Sequence, residues 1–250
     1  MASKFRSALK IVHAQEQAEG VGARVRRSIG TMGMRNFNPF LLLDDFSISG
    51  DAGFPHHPHR GQETITLVLL GAVAHEDFTG SKGILYPGDL QFMTAGKGVV
   101  HSEMPVLLEG DDRVSGMQLW VDLPEQLRDV KPRYRDLRSY EIPETTQDDG
   151  KVKVKVILGN SYGVESLHDL AYTPVEYYYV NIAPGGKFEQ KLDPSKNFFL
   201  YVLKGHQLAV NDNKVGQHHT IFFNRDGDKL EVVNPSGGDA AEFVVIGGEV

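Results

Sequence analysis

The sequence predicts an all-β protein made of two tandem β-barrels or sandwiches. Short runs of β-branched and aromatic residues recur along the chain, turn-forming residues separate them, and no long helical periodicity comes between. In the first half, Thr64 to Leu70, Ala72 to Asp77, Gly83 to Tyr86, Leu90 to Thr94 and Gly116 to Asp122 read as strands. Tyr86-Pro87-Gly88-Asp89 carries a type II turn signature, because proline presets the first corner and glycine takes the positive φ of the second. In the second half, Lys151 to Val156 alternates with period two, so the valines face inward and the lysines face water. Tyr177 to Ile182, Phe198 to Leu203, His219 to Phe223, Leu230 to Val233 and Phe243 to Ile246 follow. Pro184-Gly185-Gly186, Asn211-Asp212-Asn213 and Asp226-Gly227-Asp228 punctuate them. Leu123 to Gly150, with three prolines, reads as a linker holding a short helix near Glu125 to Val130. The expected domains are residues 1–136 and 137–250.

Composition narrows the chemistry. The 250 residues include no cysteine, which excludes disulfides, thiolate catalysis and cysteine-ligated metal centres. Histidine and carboxylate remain as metal ligands. A net charge of -7 argues against direct nucleic-acid binding, which needs a positive surface. The longest apolar run, Ile65 to Ala74, is about half of a membrane helix. No signal-peptide core is visible near the start, so the expected location is cytoplasmic, not secreted.

Histidines cluster in one place, Gly53-Phe54-Pro55-His56-His57-Pro58-His59-Arg60-Gly61. His57 and His59 stand two apart, so an extended backbone points both to one face. A second pair with the same spacing, His101 and Glu103, lies in the run Ala95 to Pro105. On neighbouring strands the two pairs supply three imidazoles and a carboxylate. An octahedral ion held that way keeps two open positions, which suits iron, with manganese, nickel, copper and zinc as competitors. A lone His-x-His is commonplace on surfaces; two such pairs are better explained by a metal. His218 and His219, adjacent, face opposite sides of a strand, and the second half is expected to hold no metal. Arg24, Arg26 and Arg27 read as a solvated strand edge. Gln118 and Trp120 share one face of their strand, and either that face or the aliphatic one opposite could line a pocket beside the metal.

GFPHHPHRGQET (Gly53 to Thr64), AHEDF (Ala74 to Phe78), PGDLQFMTAGKGVVHSEMP (Pro87 to Pro105) and GMQLWVDLP (Gly116 to Pro124) resemble the pirin family. GVGARVRRSIG (Gly20 to Gly30) and NPFLLLDDF (Asn38 to Phe46) extend the resemblance upstream, and the second half fits more loosely. The resemblance implies two cupin barrels of the double-stranded β-helix, or jelly-roll, type. The family's metal ligands fall on His57, His59, His101 and Glu103. His56 stands where the family usually has aspartate, and by alternation it points away from His57. Glu63 occupies the place of a metal-binding glutamate in ordinary cupins, but here reads as a residue beside the ligands or simply of the strand. Lys97 and Ser102 replace the family's arginine and alanine.

The resemblance implies one divalent metal per chain, expected to be Fe(II), and quercetin 2,3-dioxygenase activity, in which a flavonol ring is cleaved with release of carbon monoxide. Glu103 is then the base that takes the hydroxyl proton. It also implies a nuclear, redox-sensitive co-regulator with transcription factors as partners, the metal serving as sensor. A metal-binding barrel without turnover is the third possibility. Family members continue past the strand matching Phe243 to Gly247 with a segment that packs back on the amino-terminal half; with an end at Val250, either that tail is dispensable here or the sequence is a truncated form, and a truncated form is expected to leave surface there uncovered.

Overall fold

The computed structural model describes residues 3–235 and 237–250. The described residues are almost entirely β, in two compact units. One holds Gln15–Glu141 together with Asp169–Thr173; the other holds the residues up to Ala14, Ile142–His168 and Pro174–Val250. Each unit therefore includes a short piece from the other half of the sequence.

In the unit containing Gln15–Glu141, antiparallel neighbours run in the order Arg133–Leu137, Leu90–Thr94, Gln62–Leu70, Arg113–Asp122, Phe40–His59, Val99–Val106, Ala72–Asp77, Lys82–Leu85. Phe40–His59 is the hinge of this arrangement. Its first part pairs with Arg113–Asp122 and its last part with Val99–Val106, so one strand serves both sheets of the jelly roll. Val21–Ile29 adds to its other side, and Glu16–Glu19 adds to Val21–Ile29. Inward alternation supplies a core that includes Val25, Phe46, Ile48, Val68, Val73, Leu85 and Val114. Gly116 is required there: a Cβ would lie 2.4 Å from the Leu67 carbonyl oxygen and 2.6 Å from Phe46 Cζ. The turn at Tyr86 forms as expected. Gly88 has φ 88°, and the Asp89 N–H donates to the Tyr86 carbonyl at 2.9 Å.

The stretch Leu123 to Gly150 is more ordered than a linker. It contains a 3-10 turn at Glu125–Leu127, then Arg133–Leu137 paired with Leu90–Thr94 and Glu144–Gln147 paired with Val152–Leu158. Their charged residues hide these strands in the sequence because each is an edge strand, where alternate side chains face water. The pair His101 and Glu103 lies on a strand, Val99–Val106, as its spacing predicts, and holds inward positions ordinarily apolar.

In the other unit, a seven-stranded sheet faces a four-stranded one made of Lys187–Lys191, Lys229–Val233, Gln207–Val210 and Asn213–Gly216. Val152, Val154 and Val156 enter its core with Tyr178, Phe188, Phe198 and Phe243, all fully buried. Ala8–His13 is the edge strand of the larger sheet, paired with His219–Phe223. Arg6 secures it: its buried guanidinium donates to the carbonyls of Gly227, Lys196 and Asp193.

Candidate metal centre

A β-bulge sets the site. Phe54 pairs with Glu103 and His57 with His101, so three steps on one strand match two on the other. The extra residue re-aims the chain, a common use of bulges beside functional sites. It brings His57 rather than His56 into register with His101, and His56 is exposed. His59 follows two residues on, opposite Val99. On the far side of Val99–Val106, Ala72–Asp77 places His75 opposite Glu103 and Asp77 opposite His101.

One ligand atom from each of His57, His59 and His101 lies within 4.8 Å of the others, and the three could hold one metal ion. His101 Nε2 is 3.1 Å from His57 Nε2. Glu103 Oε2 is 3.9 Å from each of those two nitrogens. His57 Nδ1 donates to the Pro55 carbonyl at 2.8 Å, which leaves its Nε2 lone pair free to bind. His59 Nε2 is buried with no hydrogen-bond partner, an uncompensated acceptor unless a cation meets it. The donor set therefore fits a divalent transition metal.

The protonation states agree. Burial, then the neighbouring His57, pulls His59 down to about 4. Burial, then His59 and His57, pulls His101 down to about 3. Both are neutral near pH 7, the form that binds metal. Burial pushes the Glu103 carboxyl up, against the opposing pull of His57, the Gln118 hydrogen bond and His75.

Among the surrounding residues, sequence reasoning singled out Gln118, Trp120 and Glu63 but not Gln62, His75 or Asp136. Gln62 Nε2 lies 3.0 Å from His59 Nδ1, both buried. Gln118 Nε2 donates to Glu103 Oε1 at 3.3 Å, and Trp120 Nε1 donates to Gln118 Oε1 at 2.8 Å. His75 Nε2 meets Asp136 Oδ2 at 3.1 Å behind Glu103. Glu63 is turned away from the cluster, where it accepts from Thr94 Oγ1 and from the backbone N–H groups of Tyr172 and Thr173.

A cavity of about 400 Å³ opens onto the cluster. His57, Glu103, Gln118 and Trp120 line it together with Leu42, Phe46 and Phe54. The polar face of the strand Arg113–Asp122 thus lines the cavity, while Met117, Leu119 and Val121 are buried in the core. Arg27, expected on a solvated edge, is turned inward and also lines the cavity; Arg24 and Arg26 pair with Glu16 instead. Adjacent residues of a strand face opposite sides, which separates Arg27 from Arg26.

Residues 22–121 match the pirin family model, and residues 177–250 match that of the pirin C-terminal cupin domain. The chain belongs to the pirin family. Pirin from Homo sapiens is 42% identical over 242 residues, which is 95% of this chain and 81% of that protein. A pirin-like protein of Solanum lycopersicum is 41% identical over 248 residues, 99% of this chain and 83% of its own length. Among solved structures, a quercetin 2,3-dioxygenase from Acinetobacter baumannii superposes with a TM-score of 0.89 at 25% identity, over 98% of this chain and 88% of that one. The bacterial pirin YhhW from Escherichia coli, in complex with nickel(II), shares the fold with a TM-score of 0.76 at 20% identity, covering 96% and 99%. Both halves of this pirin-family chain are therefore cupin domains, and the histidine cluster lies in the first. No helix among the described residues is long and apolar enough to cross a membrane.

Proposed function

We propose that the chain is a metal-dependent dioxygenase acting on a flavonol, with His57, His59, His101 and Glu103 holding one iron ion. The observation that carries this reading is the convergence of three imidazoles and a buried carboxylate at the end of an aromatic-lined cavity. Mixed nitrogen and oxygen donors with open positions suit iron among the first-row metals. When bound, the metal supplies Lewis acidity toward a coordinated hydroxyl and redox access to dioxygen.

The chain's own residues supply the rest. Glu103 Oε2 takes the proton of the flavonol 3-hydroxyl. Its carboxylate, 3.9 Å from the His57 and His101 nitrogens, is a base at the centre itself. Gln118, fixed by Trp120, holds the carboxylate in position in both protonation states, since its amide donates to Oε1 at 3.3 Å and to Oε2 at 3.4 Å. Leu42, Phe46 and Phe54 give the ring system apolar walls and keep water from the reacting carbons.

The test is incubation of iron-loaded protein with quercetin, with and without dioxygen, following flavonol absorbance and carbon monoxide. Oxygen-dependent loss of absorbance with matching carbon monoxide is expected. No oxygen-dependent loss with iron, copper, nickel or manganese would sink the dioxygenase reading.

A further inference from the structure

The same cavity has a second polar group on its wall, which the dioxygenase chemistry does not use. Cross-strand register places Arg27 beside Asp44, and Asp44 beside Gln118, in one row across three strands. Arg27 Nε donates to Asp44 Oδ1 at 2.8 Å and Arg27 Nη2 to Asp44 Oδ2 at 2.7 Å. Nη2 also donates to Glu19 Oε2 at 2.9 Å. The Arg27 and Asp44 side chains are only 17% and 10% exposed.

An ion pair this buried is weak support for stability, because desolvation offsets much of its attraction. Its placement on a cavity wall asks for another role. The group carries one positive and two negative charges, so that wall is net negative and disfavours a carboxylate or phosphate. Two atoms remain open: Arg27 Nη1 and Glu19 Oε1 make no hydrogen bond with other described residues. Both residues line the cavity, so its wall offers a donor and an acceptor, the two functions a hydroxyl uses when it accepts one hydrogen bond and donates another. Asp44 has further lone pairs available.

The geometry points to Glu19, Arg27 and Asp44 as the specificity-determining wall of the cavity, reading uncharged phenolic hydroxyls on the part of an aromatic substrate that meets this wall rather than the histidine cluster. The choice of aromatic probes rests on the flavonol reading; the recognition of hydroxyls at this wall stands on this charge arrangement. Arg27 is a positioning residue for the two carboxylates as well as a donor.

The chain has one tryptophan, Trp120, and it lines the cavity, so its fluorescence reports occupancy directly. Iron-loaded protein is titrated under argon, where no turnover interferes, with quercetin and with 3-hydroxyflavone, which lacks the ring hydroxyls. Quercetin is expected to bind about tenfold tighter, the scale of hydrogen bonds to charged groups. Glu19→Leu removes the open acceptor from the half-exposed rim while Asp44 still holds Arg27. It is expected to bring the ratio near one, and Asp44→Asn to lower it as well, with iron content equal in all three proteins. A ratio near one in the unaltered protein, or one unmoved by both substitutions, overturns the inference while flavonol binding stands. If neither compound quenches Trp120 in the unaltered protein, the flavonol reading falls and this assignment falls with it.

Discussion

The carboxylate of Glu63 accepts the backbone N–H of Tyr172 at 2.9 and 3.1 Å, across 109 residues of sequence. Thr173 N–H adds a bond at 2.9 Å and Thr94 Oγ1 one at 2.7 Å. Arg133 stacks over the Tyr172 ring at 3.8 Å, and Thr173 Oγ1 donates to the Asp122 carbonyl. These contacts attach Asp169–Thr173 to the unit that carries the histidine cluster.

Glu63→Ala leaves two backbone donors and a hydroxyl without their acceptor in a buried place. A loss of about 2 to 3 kcal/mol is expected, seen as a fall in melting temperature of roughly 4 to 12 °C. Metal content stays unchanged, because Glu63 is occupied away from the cluster. Loss of metal with no thermal shift would contradict this assignment.

Gln62 is expected to tune the affinity of the centre. A metal at His59 Nε2 requires the ring proton on Nδ1, and a half-turn of the Gln62 amide presents Oε1 to accept it. Gln62→Leu removes that acceptor, and metal affinity should fall about 10- to 100-fold, the range for such supporting partners. Gln62→Glu, which restores an acceptor, should recover it. Competition with a chromophoric chelator measures both.

Much of this was legible in the residues. Two-residue alternation placed His57 with His59 and His101 with Glu103, because side-chain direction in a strand depends on spacing alone. The bulge between Phe54 and His57 was not legible: it depends on how two strands pair, and no local residue announces it. The inward turn of Arg27 was missed for a related reason. A charged residue in a basic run reads as solvated, and its partner Asp44 lies 17 positions away in sequence. Gln62 had no signal beyond its nearness to His59. The second half was the reverse case: its valine and aromatic alternation gave the buried core faithfully, since nothing there competes with packing.

Stability of the metal-free protein should depend on pH between 6.5 and about 3. His59 and His101 have folded-state pKa values of about 4 and about 3, below the ordinary 6.5. The unfolded chain therefore binds protons in this window that the folded chain refuses. Stability is fully present above pH 6.5 and is lost as pH falls toward the folded values. Each imidazole contributes up to about 1.4 kcal/mol per pH unit. The raised Glu103 carboxyl acts in the opposite sense, favouring the fold at low pH. The informative measurement is a difference: His101→Gln should reduce the slope of denaturation free energy against pH by about one proton. An unchanged slope would contradict the buried neutral state of His101.

Two of the proposed histidine ligands should behave differently from Glu103. His59 and His101 are buried at 4% and 2% exposure, and His101 lies within reach of both His57 and Glu103. Replacing either histidine by alanine removes one of three convergent nitrogens, and tight metal binding should be lost. Glu103 is different. Its Oε2 stands 3.9 Å from two of the nitrogens, so the three imidazoles still meet when it is altered. Glu103→Gln keeps the shape and the contact with Gln118 but cannot take a proton. Metal should be retained at lower affinity, while flavonol turnover falls about 10²- to 10⁴-fold, the range for removal of a general base. Metal analysis of the purified variants, read beside single-turnover rates, distinguishes the two behaviours. Full turnover in Glu103→Gln would remove the carboxylate from the chemistry. Unchanged metal content in His101→Ala would remove that histidine from the centre.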